Sequence, residues 1–203
     1  MHKNSYSKME WFKNTYLSVA NKLKILDVGA LDTQGYNYST IFNEKNWNYE
    51  GLDIKDGTNV DIVVTDIYNW FEVEDNTYDV VISGQFFEHL EFFWLTMAQI
   101  ERVLKPGGYV CIIVPSEGPK HGKGMQNCYK FYENGLRAMA RYVDLEVIHV
   151  VVDTREEAKP WCDACLVAHK PGFFSNDDTN QLEERINNLE GKLDTILETI
   201  ENK

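Results

Sequence analysis

Positive charge is scarce in this chain: 20 Lys and Arg stand against 32 Asp and Glu, a formal net charge of -12. Such a chain is repelled by a phosphate backbone, and its few basic residues form no cluster, so no nucleic-acid partner is expected. Cysteine is also sparse. Four cysteines in 203 residues do not make a secreted disulfide framework. Cys162 and Cys165 form a single C-x-x-C with His169 beyond it, short of the two pairs, or the pair plus two placed histidines, of a structural zinc site. The alternating segment CLVAHK reads instead as a strand that turns Cys165 into the core, and no metal is expected. No unbroken apolar run reaches membrane-span length, and MHKNSYSKMEWFKNTYL lacks the apolar centre of a signal peptide, so a cytoplasmic protein is expected. What is present is the composition of a folded domain, 43% hydrophobic and 13% aromatic, in a length that suits one domain with an appendage.

Short β-branched runs alternate with longer helical ones. KILDV, YEGLDI, VDIVV, YDVVIS, YVCIIVP, LEVIHVVVD and ACLVAHK read as strands. EHLEFFWLTMAQIERVLK places Leu90, Phe93, Met97, Ile100 and Leu104 near helical spacing, and the expected helix stops at Pro106 and two glycines. SYSKMEWFKNTYLSVANKL and NGLRAMARYV supply two further helices. Strands alternating with helices predict an α/β fold, a mostly parallel sheet covered on both faces, and the last two strands, with no clear helix between them, predict an antiparallel hairpin. The chain then changes character. After a domain spanning residues 1–172, an acidic turn-rich linker at 173–179 leads to 180–203, where Leu182, Ile186, Leu189, Leu193, Ile196 and Ile200 repeat at spacings of four and three. So narrow a seam predicts a coiled-coil helix and a homo-oligomer, rather than a helix folded back on its own domain.

The stretch LKILDVGALDTQGYN ends an apolar run in Asp27 and Gly29, but the second and third glycines of a G-x-G-x-x-G loop are missing. That absence argues against a nicotinamide-dependent dehydrogenase. In open α/β sheets ligands bind beyond the carboxyl ends of the strands, and each strand here ends in a polar residue: Asp27, Asp53, Asp66 and Ser83. A carboxylate such as Asp53 after the second strand can accept both hydroxyls of a ribose. Gly29 lets backbone come close to a ligand. Asp66, with Asp61 as a nearby competitor, can accept from an adenine amino group.

This succession resembles the class I methyltransferases that use S-adenosylmethionine, and is similar to the type 11 methyltransferase domain. ILDVGA stands for the first cofactor motif, YEGLDI for the second and TDIYNW for the adenine edge, followed by EDNTYDVVISGQFFEHL and IERVLKPGGYVCIIVPS. More closely, FFEHLEFFW, VPSEGPKHG and CYKFYENGLRAMA are similar to a bacterial subgroup associated with surface-polysaccharide and modified-sugar synthesis. The resemblance implies a Rossmann-like seven-stranded sheet with helices on both faces. It implies S-adenosylmethionine as cofactor, with Asp27, Gly29, Asp53, Ile54, Asp66, Ile67 and Ser83 as its contacts. It also implies a methyl acceptor that is a sugar, glycan or related small molecule.

For the acceptor, His89 and His121 are the candidate catalytic residues, since a neutral imidazole can take a hydroxyl proton near neutral pH. His121 lies in a glycine-rich segment, SEGPKHGKGMQNCY, with the composition of a lid. Glu88 and Tyr129 are candidate substrate contacts, and Phe86, Phe87, Phe92 and Phe93 read as core. The competing expectation is a non-catalytic subunit of methyltransferase-like fold that recruits a partner through its coil.

Overall fold

All seven β-branched runs contain strands. The structure is a computed structural model describing residues 3–33, 35–121 and 126–172, so the linker and coiled-coil segments lie outside the described residues. The strands are β1 (Leu23–Val28), β2 (Trp47–Asp53), β3 (Ile62–Val63), β4 (Tyr78–Gly84), β5 (Leu104–Val114), β6 (Glu146–Val152) and β7 (Ala164–His169). They form one sheet in the order β3-β2-β1-β4-β5-β7-β6. The first five are parallel, and β7 enters antiparallel between β5 and β6. The strand order reverses between β1 and β4, which puts the ligand-binding crevice of such a sheet at their carboxyl ends.

Both faces are buried, which is why the central strands read as nearly continuous apolar runs. Helix α1 (Lys3–Tyr16) packs Met9 and Phe12 against one face, beside Ile25, Val80, Ile82, Ile113 and Val167. Helices α2 (Phe93–Val103) and α3 (Glu133–Tyr142) cover the other, with Met97, Ile100, Leu136 and Met139 against Leu26, Val81, Val110 and Leu166. Cys165 is buried, as its strand pattern requires.

Three elements depart from expectation. Residues 88–105 are not one helix: a 3-10 turn at Phe87–His89 gives way to an extended Leu90 (φ -86°, ψ 130°) before α2 begins. At the other end Leu104 is already in β5, paired with Tyr78. Pro106 disfavours helical backbone at Lys105, and the full burial of Leu104 favours the sheet. The N-terminal helix stops at Tyr16, leaving Leu23 to pair with Trp47. Strand β3 keeps only Ile62 and Val63 of VDIVV.

Among the described residues there is no α-helix between β1 and β2, only a 3-10 turn at Tyr38–Thr40. Tyr38 does the covering instead. It is buried, shares a 2.6 Å hydrogen bond with Ser5 Oγ, and lies so close to Gly84 that a Cβ there would sit 2.0 Å from its hydroxyl. The segment between β3 and β4 is likewise held by side chains. Arg102 donates to the Val73 and Trp70 carbonyls at 2.9 and 2.8 Å, and Trp70 Nε1 donates to Ile67 O at 2.8 Å.

Two glycines differ sharply in what surrounds them. A Cβ on Gly51 would lie 1.9 Å from the Asn59 carbonyl oxygen, whereas one on Gly135 in α3 meets nothing within 4 Å. Gly51→Ala should therefore destabilise by about 1–3 kcal/mol through overpacking. Gly135→Ala should stabilise by up to about 1 kcal/mol through helix propensity. Urea midpoints of the two variants should move in opposite directions.

Candidate active site

The crevice between β1 and β4 is built on a close approach. Gly29 takes φ +80°, and a Cβ at that position would fall 2.2 Å from the Phe86 ring. Glycine is thus required twice, by the left-handed turn and by the ring. Asp27, just before it, is buried and accepts from Tyr49 Oη at 2.6 Å. Burial pushes its carboxyl up to about 7, against the lowering effect of the Tyr49 hydrogen bond and with the charge of Asp53 adding to the rise. Asn59 Nδ2 donates to both Tyr49 Oη and Ala30 O, at 3.0 and 2.9 Å, fixing the loop after β1 to the loop after β2.

Asp53 ends β2, with Oδ1 accepting from the Ile54 and Lys55 amides and Oδ2 from the Leu31 amide at 3.2 Å. A carboxylate offers about four acceptor directions, so these three bonds leave capacity for a hydroxyl. Ile54 beside it is 48% exposed. Asp66 is exposed with Oδ1 capping the Tyr68 amide, whereas the competing Asp61 directs Oδ2 to the Gly51 amide inside the sheet edge. Ile67 is buried and held through its carbonyl by Trp70 and Thr96. Ser83 is fully buried and its hydroxyl donates to Val28 O at 2.8 Å, so its side chain ties β4 to β1. This edge fits an adenosyl group: a Cβ-free turn, a carboxylate with spare acceptor capacity, and an exposed carboxylate beyond it.

The second cluster surrounds Glu88. It is 1% exposed, and neither carboxylate oxygen has a hydrogen-bond partner. His89 Nε2 and His121 Nε2 each lie 3.6 Å from its Oε1. The two imidazoles face each other edge to face at 5.0 Å, and His121 also meets the Trp161 ring at 4.6 Å. His89 sits in the 3-10 turn, not on the long helix expected at 88–105, and its Nδ1 lies 2.5 Å from the Gln126 carbonyl. His121 stands at the neck of its loop, where its N–H and C=O exchange hydrogen bonds with the Asn127 side chain at 3.0 and 2.7 Å. Residues 122–125 of the expected lid lie outside the described residues. Tyr129 belongs to the supporting wall: its hydroxyl donates to Glu91 O at 2.8 Å and its ring meets Phe93 and Phe131. Of the four phenylalanines read as core, Phe92 is 44% exposed and edges onto Tyr68.

Several participants lie within or near the quoted motifs but are not among the expected site residues. Gln85, at φ +57°, donates from Nε2 to Asp163, whose carboxyl burial raises to about 7. Lys130 stands 5.2 Å from the Trp161 ring, with its pKa lowered by burial. Ser116 joins the two walls by donating to Cys162 O. These contacts span 31 to 78 residues of sequence, so no local pattern announces them.

The family model described as a methyltransferase domain matches residues 26–112. An S-adenosylmethionine-dependent methyltransferase from Aquifex aeolicus is similar in fold, with a TM-score of 0.60 at 16% identity over 81% of this chain and 90% of that one. A Burkholderia thailandensis 1,6-didemethyltoxoflavin-N1-methyltransferase, solved with S-adenosylhomocysteine, gives 0.57 at 16% identity over 83% and 84%. The [4+2]-cyclase SpnF gives 0.61 at 16% identity over 82% and 80%. No curated protein matches the chain. Residues 26–112 thus match a methyltransferase-domain model, and the likeness to these structures shows a Rossmann-like fold shared with S-adenosylmethionine-dependent methyltransferases. No helix among the described residues is long and apolar enough to cross a membrane.

The buried carboxyls set a pH dependence. Asp27 and Asp163 are both raised to about 7 when folded, so between about pH 4 and 7 the folded chain holds protons that the unfolded chain has lost. Stability should therefore fall as pH rises through that window. Asp27→Asn keeps an acceptor for Tyr49 without the charge and should flatten about half of the fall. Urea midpoints measured across the window test this; a wild-type slope in the variant would show Asp27 ionised throughout.

Proposed function

We propose that the chain methylates a hydroxyl of a sugar, glycan or related small molecule. The observation that supports a hydroxyl acceptor is the Glu88–His89–His121 cluster beside the cofactor edge. S-adenosylmethionine supplies an activated methyl group, so the protein's task is positioning and removal of a proton. Asp53 would take a ribose hydroxyl through its remaining acceptor direction, and the Asp66–Ile67 turn would border the adenine. Gly29 and Phe86 would border the methionine part. Glu88 and the two imidazoles present only acceptors or lone pairs to an incoming hydroxyl, which suits them to hold its oxygen and withdraw its proton. The sugar or glycan class rests on the likeness of FFEHLEFFW, VPSEGPKHG and CYKFYENGLRAMA to the polysaccharide-associated subgroup. The coil at 180–203 would assemble copies of the chain.

The competing reading is a non-catalytic subunit of methyltransferase-like fold that recruits a partner through its coil. Ligand-induced stabilisation separates them at the first step. S-adenosylhomocysteine should raise the melting temperature and NAD should not, since a ligand at a hundredfold excess over its Kd stabilises by about 2.7 kcal/mol. Asp53→Ala should lose most of that shift with its fold intact. Once an acceptor is found, His89→Ala or His121→Ala should lower turnover by roughly a hundredfold or more while cofactor affinity holds. Truncation after Pro171 should leave cofactor binding nearly unchanged and reduce the mass seen by light scattering.

A further inference from the structure

A buried carboxylate with no hydrogen-bond partner costs several kcal/mol unless a positive charge faces it. Glu88 has two oxygens in that condition. Its neighbours are two imidazoles, and the protonation of one is fixed by its partner. A carbonyl oxygen can only accept, so His89 Nδ1, 2.5 Å from Gln126 O, carries the hydrogen. In the neutral ring Nε2 then points a lone pair toward Glu88. A lone pair and a carboxylate do not attract each other, so the arrangement needs a cation between them.

A shared proton does not fit the spacing. An imidazolium–carboxylate hydrogen bond closes to about 2.7–2.9 Å. Both Nε2–Oε1 separations are 3.6 Å, beyond hydrogen-bond reach. Two donors on one tetrahedral ion, each at about 2.0–2.2 Å, stand about 3.3–3.6 Å apart. One ligand atom from each of Glu88, His89 and His121 lies within 4.8 Å of the others, so the third pair needs only modest closure. The Gln126 carbonyl behind His89 is the outer partner that orients a metal-binding imidazole. The Lys130 charge acts on Glu88 through space but does not touch it: the ammonium has no hydrogen-bond partner and faces the Trp161 ring.

We propose that Glu88, His89 and His121 bind one divalent transition-metal ion of zinc-like chemistry, contrary to the absence of metal expected from sequence. Two imidazoles and one carboxylate are a donor set for such ions and leave at least one coordination position open. If the proposed methyl transfer is correct, that position receives the acceptor oxygen, and the ion makes its hydroxyl easier to ionise. The metal site itself does not depend on that reading.

Chelator-treated full-length chain should be titrated with Zn2+ against a chromophoric competitor, with metal content read after gel filtration. One ion per chain is expected. Glu88→Gln, His89→Ala and His121→Ala should each weaken binding by at least the ~10–100-fold that loss of an outer partner alone costs. His149→Ala, at a ring tilted against Trp11, and Cys162→Ser, in the C-x-x-C, should bind as wild type. Circular dichroism checks each variant's fold, and His89→Gln and His121→Gln replace any alanine variant that unfolds. No saturable ion, or undiminished affinity in both histidine variants, would overturn the proposal. The S-adenosylhomocysteine shift is read separately: zinc bound without that shift upholds the metal site and sinks the methyltransferase reading, and the reverse result does the opposite.

Discussion

The contact between Gly29 and the Phe86 ring sets the geometry on which the rest of the site depends. It brings the ends of β1 and β4 together at the point where strand order reverses, and the Ser83–Val28 hydrogen bond fixes their register just below. With Phe86 turned toward β1, the chain leaves β4 through a left-handed Gln85 and a tight 3-10 turn. That turn delivers Glu88 inward and His89 beside it. A helix starting directly after β4 would have carried these two side chains about 100° apart around its axis. The extended Leu90 is therefore part of how the cluster forms.

Two kinds of support hold the two halves. The cofactor edge is built largely from backbone groups held by a few carboxylates and amides: Asp53 gathers three N–H groups, and Asn59 links two loops. The Glu88 cluster is built from side chains on two segments, held by Gln126, Asn127 and Trp161. Buried charge is tolerated differently in each. Asp27, raised to about 7 by burial, keeps its proton below neutral pH and there avoids most of the cost of burying a charge. Glu88 is instead flanked by the imidazoles of His89 and His121.

Much of the fold was legible because it rests on local periodicity. Seven apolar runs became seven strands, the final hairpin is antiparallel, and Asp27, Gly29 and Asp53 stand at strand ends as their pattern required. The misreadings came where tertiary contacts override propensity. Helical spacing from Leu90 to Leu104 conceals a break, because Glu88 and Leu104 are each drawn into the interior by different partners. The absent helix after β1 was hidden for the same reason, since Tyr38 fills that space by reaching Ser5 and Gly84. Glu88, His89 and His121 were individually visible; their convergence on one oxygen was not, because no spacing rule connects residue 89 to residue 121.

This division bears on how far a shared fold can be carried toward a shared reaction. Similarity at 13–16% identity is enough to keep the sheet and its switch point, and a backbone-built cofactor edge survives such divergence because it asks for few side chains. The Glu88 cluster has no comparable protection. Its surroundings draw on Ser116, His121 and residues 126–131 and 161–163, which lie beyond the matched residues 26–112. The similarity to a cyclase and to an N-methyltransferase spans 82% and 83% of this chain and concerns the fold. A reaction must be read from individual side chains, and in this chain the cluster to read is one buried carboxylate and two imidazoles.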